Sequence, residues 1–194
     1  MIKIGITGSI ASGKTTVSKI ISKKRGPLFV ADEIVKKIYK KRKFINSVKK
    51  SLKILQRSNI KENIKKMILM DRKNLKKLER ILHPSVREEM HYFLKKNQNK
   101  RYVFLEIPLL IESKLTKYFD LILFVKSKRE LRKKRYLKKT GNLAMFNFLN
   151  KQQKKDSEKM KFCDHIIVNN SSLPVLKKKV LNIVKLYERN FSRY

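Results

Sequence analysis

The segment Gly8-Ser9-Ile10-Ala11-Ser12-Gly13-Lys14-Thr15 constrains this chain more than any other. It fits the phosphate-binding pattern G-x-x-x-x-G-K-[ST] at every position, and its setting is the required one. Lys3–Thr7 reads as a short buried strand before it, and Lys14 to Lys23 as the helix after it, stopping at Gly26-Pro27. Strand, loop and helix N-terminus in that order present consecutive backbone N–H groups to an anion. Glycine permits both the curl of the loop and the close approach of a phosphate. Lys14 would reach the β and γ phosphates as a point charge, and the Thr15 hydroxyl would ligate Mg²⁺. A chance match in a Lys-rich chain is the alternative, and the flanking strand and helix weigh against it.

Four further apolar runs can serve as strands: Leu28–Val30, Tyr102–Ile107, Leu121–Val125 and His165–Val168. They are near-continuous in Val, Ile, Leu and Phe rather than alternating, which suits a parallel sheet covered on both faces. Helical segments separate them, as βαβ units require, so the expected class is α/β with a five-stranded parallel sheet. Between the second and third strands lie about seventy residues, more than one crossover needs. Apolar positions recur there at helical spacing: Ile34, Ile38, then Ile45, Val48, Leu52, then Ile64, Met67, Ile68, and Val86, Met90, Phe93, Leu94. The spacing predicts a helical insert. Lys126–Lys139 carries too little apolar surface for a core helix. It is either a solvated helix face or a mobile basic lid over a triphosphate.

The chain's 194 residues and 41% apolar content suffice for one domain with a sizeable core. Cys163 has no second cysteine to pair with, the phosphate loop begins too early for a leader to precede it, and the apolar runs are strand-sized. These features predict a cytoplasmic protein with no membrane partner, a monomer or weak homo-oligomer. The formal net charge of +36 would favour polyanions. The positive residues are spread from end to end and accompanied by many Ile and Asn, the pattern of AT-rich codon usage, which makes a nucleic-acid partner unlikely.

Acidic residues number only 15, so their positions carry information. Asp32 lies just past the second strand, Glu106 near the carboxyl end of the third, and Glu112 shortly after. In an open parallel sheet ligands sit outside the carboxyl ends of the strands, where the phosphate loop also opens. Asp32 is thus a candidate base, orienting acceptor or outer-sphere Mg²⁺ partner, or a helix N-cap. Glu106 is a candidate for a metal-side role through water, or for structural pairing with a Lys or Arg. In His83-Pro84-Ser85-Val86-Arg87, Pro84 suits the first turn of a helix, with His83 at its start and Arg87 one turn on. Such a helix start is either an anion site or an N-cap with a surface Arg.

Together these residues resemble the dephospho-CoA kinase family over almost the whole chain. The resemblance is carried by Gly5–Val17, Ala31-Asp32, His83-Pro84-Ser85-Val86-Arg87, Glu106-Ile107-Pro108-Leu109-Leu110-Ile111-Glu112, Gln153, Lys159, and Cys163–Asn170. It implies a three-layer P-loop kinase fold with helices on both faces of the sheet. The single domain would comprise a core (1–30 with 101–126 and 153–194), a helical acceptor-binding insert (31–100) and a basic lid (127–152). It further implies Mg²⁺-dependent transfer of the ATP γ-phosphoryl to the 3′-hydroxyl of dephospho-CoA. Gly8, Ala11, Ser12, Gly13, Lys14, Thr15 and Thr16 would hold ATP, with Arg132 or Arg135 from the lid. Lys14 and Asp32 would be catalytic, Asp32 as base, and Asp32, His83, Arg87 and Glu106 would line the acceptor side. The chain departs from the family where Asp-Ala-Asp is replaced by Val30-Ala31-Asp32, and where Ser9 and Ala11 stand at positions commonly Gly. A nucleoside or nucleotide kinase, or a nucleic-acid-binding P-loop NTPase, are the other readings. The last would need aromatics among its cations, and in Lys126–Lys139 Tyr136 stands alone.

Overall fold

A computed structural model describes residues 1–54 and 59–191. The apolar runs form β1 (Ile2–Gly8), β2 (Leu28–Val30), β3 (Tyr102–Glu106), β4 (Leu121–Lys126) and β5 (His165–Val168). They make a parallel sheet in the order β2-β3-β1-β4-β5. β1 is therefore central, flanked by β3 and β4, with Ile2, Ile4 and Ile6 on one face and Lys3, Gly5 and Thr7 on the other. Its last residue, Gly8, pairs with Val125, so the phosphate loop leaves the sheet at the carboxyl edge of the middle strand.

Side chains alternate across a strand, and the two faces are filled differently. Ile4, Ile6, Phe104, Leu123, Val125 and Ile167 join Val17 and Ile21 of α1 (Lys14–Ser22) and Leu176, Val180 and Val184 of α9 (Leu173–Phe191) in one core. Burial of each such aliphatic or aromatic side chain stabilises the fold by about 1.5–3 kcal/mol. On the other face Phe124 lies under α8 (Asp156–Met160). The connection from β4 to α8 contains α6 (Arg129–Thr140) and α7 (Leu143–Gln152). Gly141 ends α6 at φ 67°, and Asn142 caps α7 by accepting from the Met145 N–H at 2.8 Å.

Residues 31–96 form a second compact unit, separate from the unit of residues 1–30 and the chain from Asn97 onward. It holds α2 (Ala31–Ile38), α3 (Arg42–Leu52), α4 (Ile60–Met70) and α5 (Arg72–Lys96), with the first three packed on α5. Ile38, Phe44, Val48, Leu52, Ile64, Ile68, Leu78 and Met90 are its buried apolar side chains. Tyr39 meets Phe44 edge-on at 5.0 Å between ring centres.

One sequence expectation fails here. Pro84 does not start a helix: it lies inside the 25 residues of α5. A proline there forfeits one backbone hydrogen bond and costs about 3 kcal/mol. The helix persists because Leu75, Leu78, Ile81 and Leu82 continue its apolar stripe upstream, and because three helices pack along it. Asp71 stands at its start, where Oδ1 accepts from the Lys73 N–H at 2.8 Å. His83 and Arg87 are consequently mid-helix, one turn apart, and own no helix N-terminus.

Candidate active site

The loop after β1 is shaped by three left-handed residues. Gly8 has φ 150°, Ala11 φ 57° and Gly13 φ 95°. A Cβ at Gly8 would stand 2.4 Å from the Val125 carbonyl oxygen, and one at Gly13 would stand 2.1 Å from Asn169 Nδ2. Both glycines are thus required by conformation and by space. Ala11 takes a conformation that costs an L-residue about 1–2 kcal/mol, and the surrounding contacts hold it there. The Ser12 N–H donates to Ser9 O at 3.1 Å and closes the curl. Helix α1 starts at Gly13 with no side-chain cap, so its first-turn N–H groups face an incoming anion. The Lys14 ammonium folds back over the loop, donating to Gly8 O at 3.1 Å and Ser9 O at 3.0 Å, and is 7% exposed. Ser12 Oγ is buried without a hydrogen-bond partner, and Thr16 is exposed on the first turn.

Glu106, at the end of β3, is 1% exposed and accepts two hydroxyl hydrogens. Thr15 donates to Oε1 at 2.7 Å and Ser18 to Oε2 at 2.8 Å. Two hydroxyls of α1 occupy the carboxylate where the sequence allowed a Lys or Arg. Ser18, one turn beyond Thr15 on the same helix face, went unnoticed in the sequence; the spacing was its only signal. Because Thr15 spends its hydrogen on Glu106, its oxygen lone pairs are left for a cation. Hard oxygen donors and few carboxylates suit Mg²⁺ held partly by phosphate oxygens. Among the described residues no group of three or more His, Cys, Asp or Glu side chains could hold a metal alone.

Residues from the far half of the chain grip the loop from outside. Arg132 of α6, 7% exposed, donates through Nη1 to Ile10 O at 3.5 Å and Asn150 Oδ1 at 2.7 Å, and through Nε to Ser127 O at 3.2 Å. Burial, against the attraction of Asp156, lowers the Arg132 pKa from its ordinary value. Arg135 is half-buried and donates to Ser12 O at 3.4 Å, Ser127 Oγ at 3.0 Å and Asn169 O at 3.1 Å. Asn169, just past β5, donates from Nδ2 to Ser12 O at 2.8 Å. Gln153 Oε1 accepts from the Ile10 N–H at 2.9 Å. Tyr136 packs against Phe146, 5.6 Å between ring centres, and so does not form an exposed stacking platform.

Asp32 and its neighbour Glu33 lie in the first turn of α2, and Asp32 is exposed. The helix starts at Ala31, so Asp32 sits inside it rather than capping it. His83 is half-buried and Arg87 exposed on α5. All three belong to the helical unit, whereas the phosphate loop, Glu106, Arg132 and Arg135 belong to the other.

Cys163 is not a reactive group. Its Sγ donates to Lys159 O at 3.3 Å, and burial, aided by Asp164, pushes the thiol up to about 11. At pH 8 a thiol shifted from 9 to 11 carries about 100-fold less thiolate. A thiolate of higher pKa is about 10-fold more nucleophilic, so alkylation of the native protein is expected to run about 10-fold slower than in denaturant, as read by intact mass. Equal rates would contradict the burial.

Among the described residues no helix is long and apolar enough to cross a membrane. A family model described as dephospho-CoA kinase matches residues 2–174. The dephospho-CoA kinase of Rickettsia typhi is 31% identical over 189 residues, covering 97% of this chain and 98% of the relative. That of Fusobacterium nucleatum is 35% identical over 182 residues, covering 91% and 94%. A crystal structure from Thermus thermophilus superposes with a TM-score of 0.77 at 26% identity, covering 95% of this chain and 96% of that one. The dephospho-CoA kinase of Campylobacter jejuni shares the fold with a TM-score of 0.65 at 24% identity, covering 97% and 98%.

Proposed function

The chain belongs to the dephospho-CoA kinase family, and from that premise we propose how its own residues divide the transfer of the ATP γ-phosphoryl to the 3′-hydroxyl of dephospho-CoA. The observation that carries the proposal is the Thr15–Glu106–Ser18 contact at the end of a loop on which the Lys14 ammonium is seated. It joins the phosphate-binding loop and the first helix to a buried carboxylate through two hydroxyls.

Phosphoryl transfer passes through a loose transition state, so catalysis depends on positioning and on neutralising charge at the phosphate oxygens. The N–H groups of the loop and of the first turn of α1 bind the β and γ phosphates, with Gly8, Ala11, Ser12, Gly13, Lys14, Thr15 and Thr16 around them. The Lys14 ammonium, seated over the loop by two carbonyls, meets the negative charge that shifts toward the leaving oxygen. Arg132 and Arg135 add positive charge at the rim. Arg132 is buried, reaching the Ile10 carbonyl and anchored on Ser127 O and Asn150, and suits a holding role, and Arg135, more open, suits contact with phosphate. Thr15 would hold Mg²⁺ and Glu106 would orient the Thr15 hydroxyl, and the cation would supply charge neutralisation at the phosphate oxygens. Asp32 accepts the proton of the acceptor hydroxyl as the phosphoryl group departs. The helical unit carries the acceptor, with His83 and Arg87 offering hydrogen bonds and charge to its anionic groups. The same reading puts the protein in the cytoplasm.

Glu106→Gln tests this division. The amide keeps the shape of the carboxylate but loses its charge and one acceptor, so Thr15 is no longer held in the same orientation. The Mg²⁺ concentration for half-maximal rate is expected to rise about 10-fold or more, as outer groups of metal sites generally require. Initial rates across a Mg²⁺ titration at saturating ATP measure it. An unchanged midpoint would separate Glu106 from the metal.

A further inference from the structure

A buried lysine is costly unless both its charge and its donors are met. Lys159 of α8 is 0% exposed. Its ammonium donates to Ser9 Oγ at 3.2 Å, lies 3.5 Å from Glu112 Oε1, and stands 5.7 Å from the centre of the Phe124 ring. Ser9 Oγ in turn donates to Asp156 Oδ1, three residues before Lys159 on the same short helix. The hydroxyl therefore uses its hydrogen on a carboxylate and a lone pair on an ammonium, and it is inserted between two ends of an ion cluster. Glu112 Oε1 also accepts from the Lys154 N–H at 3.3 Å, which fixes the carboxylate to the segment that leads into α8.

Position 9 is one of the free positions of the phosphate-loop pattern, so the curl of the loop does not demand a hydroxyl there. Ser9 is nonetheless 3% exposed and bonded through both its hydroxyl and its carbonyl. Its backbone oxygen receives the Lys14 ammonium at 3.0 Å while its side chain receives the Lys159 ammonium at 3.2 Å. A shift of Ser9 thus moves the seat of Lys14 as well as the loop. The next residue, Ile10, is held through its N–H by Gln153, from the same stretch of chain.

We propose that Ser9 is a positioning residue, through whose hydroxyl buried Lys159 and the half-buried Glu112 and Asp156 hold the Gly8–Gly13 loop in its triphosphate-receiving shape. The inference rests on the reading of that loop as the ATP site. Part of the affinity for ATP is then set by α8, whose Asp156 and Lys159 reach the loop through Ser9. Pre-forming a binding loop lowers the ordering cost of binding, so its loss appears in nucleotide affinity before it appears anywhere else.

Removing the fully buried Lys159 would leave a cavity and take the cationic partner from half-buried Glu112, endangering folding, so the test uses smaller changes. Ser9→Ala deletes only the hydroxyl, Asp156→Asn removes the charge it serves, and the double variant closes the cycle. Calorimetric ATP binding, KM for each substrate, and thermal midpoints are read for all three and the wild type. Ser9→Ala is expected to weaken ATP binding about 10-fold while the KM for dephospho-CoA stays within about 2-fold. Asp156→Asn is expected to weaken ATP binding in the wild-type background and to add less than about 2-fold once Ser9 is Ala. ATP binding unchanged in Ser9→Ala, with or without a lower melting point, would overturn the proposal, as would fully independent effects in the cycle. A wild-type protein that bound no ATP would remove the active-site reading itself, a failure distinct from that of the brace.

Discussion

Lys14→Ala is expected to lower kcat by about 10²–10³, the loss seen when one preorganised group that stabilises transition-state charge is removed. The ammonium is 7% exposed and already aimed by the carbonyls of Gly8 and Ser9 at 3.1 and 3.0 Å. It therefore needs little reorganisation when charge develops on the phosphate oxygens. Lys14→Met provides the companion variant, because it keeps most of the aliphatic stem and so separates lost charge from lost packing. Both variants should show the same fall in kcat, followed as ADP release, with circular dichroism to confirm that the fold survives. Activity near wild type in Lys14→Met would show that the loop does not hold the transferred phosphoryl group.

Asp32→Asn is the second large effect expected, a drop in kcat of about 10² with ATP affinity within about 2-fold of wild type. General-base removal can cost more, but a loose phosphoryl transition state asks less of proton removal. Asp32 is exposed and lies in the first turn of α2, where the helix end stabilises its negative charge. Asn keeps the size and loses both the charge and the basic oxygen. Single-turnover rates combined with ATP binding distinguish the roles. A loss of ATP binding as large as the loss of rate would make Asp32 a metal-side or structural residue instead of a base.

The sheet is readable in the sequence because its runs are short, apolar and bounded by helical stretches, and β2 and β5 begin and end where the pattern put them. The phosphate loop is readable because its chemistry is local: eight consecutive residues hold the glycines, the lysine and the hydroxyl. The first half of α5 is not: Leu75, Leu78 and Leu82 recur at helical spacing, but the sequence expectation has the helix begin at Pro84. Tertiary packing decided that conflict. The grip on the loop is hidden for another reason. Ser9 meets Asp156 across 147 residues of chain and Lys159 across 150, and Ile10 meets Gln153 across 143. No periodicity records such pairs. Gln153, Lys159 and Asn169 did stand in the family-like motifs, but as letters without a role, and only folding shows that they converge on Ser9, Ile10 and Ser12.

The net charge of +36 is the feature that most invites a different account, and the cations that hydrogen-bond the loop are Lys14, Arg132, Arg135 and Lys159 among the described residues. The measurement that bears most directly on the central claim is product stoichiometry. The purified protein is incubated with Mg-ATP and dephospho-CoA, CoA is followed by mass and ADP alongside it, and adenosine, AMP and RNA are offered as competing acceptors or activators. The account predicts one CoA for each ADP and no stimulation by RNA. ADP released without CoA, and faster when RNA is added, would contradict it.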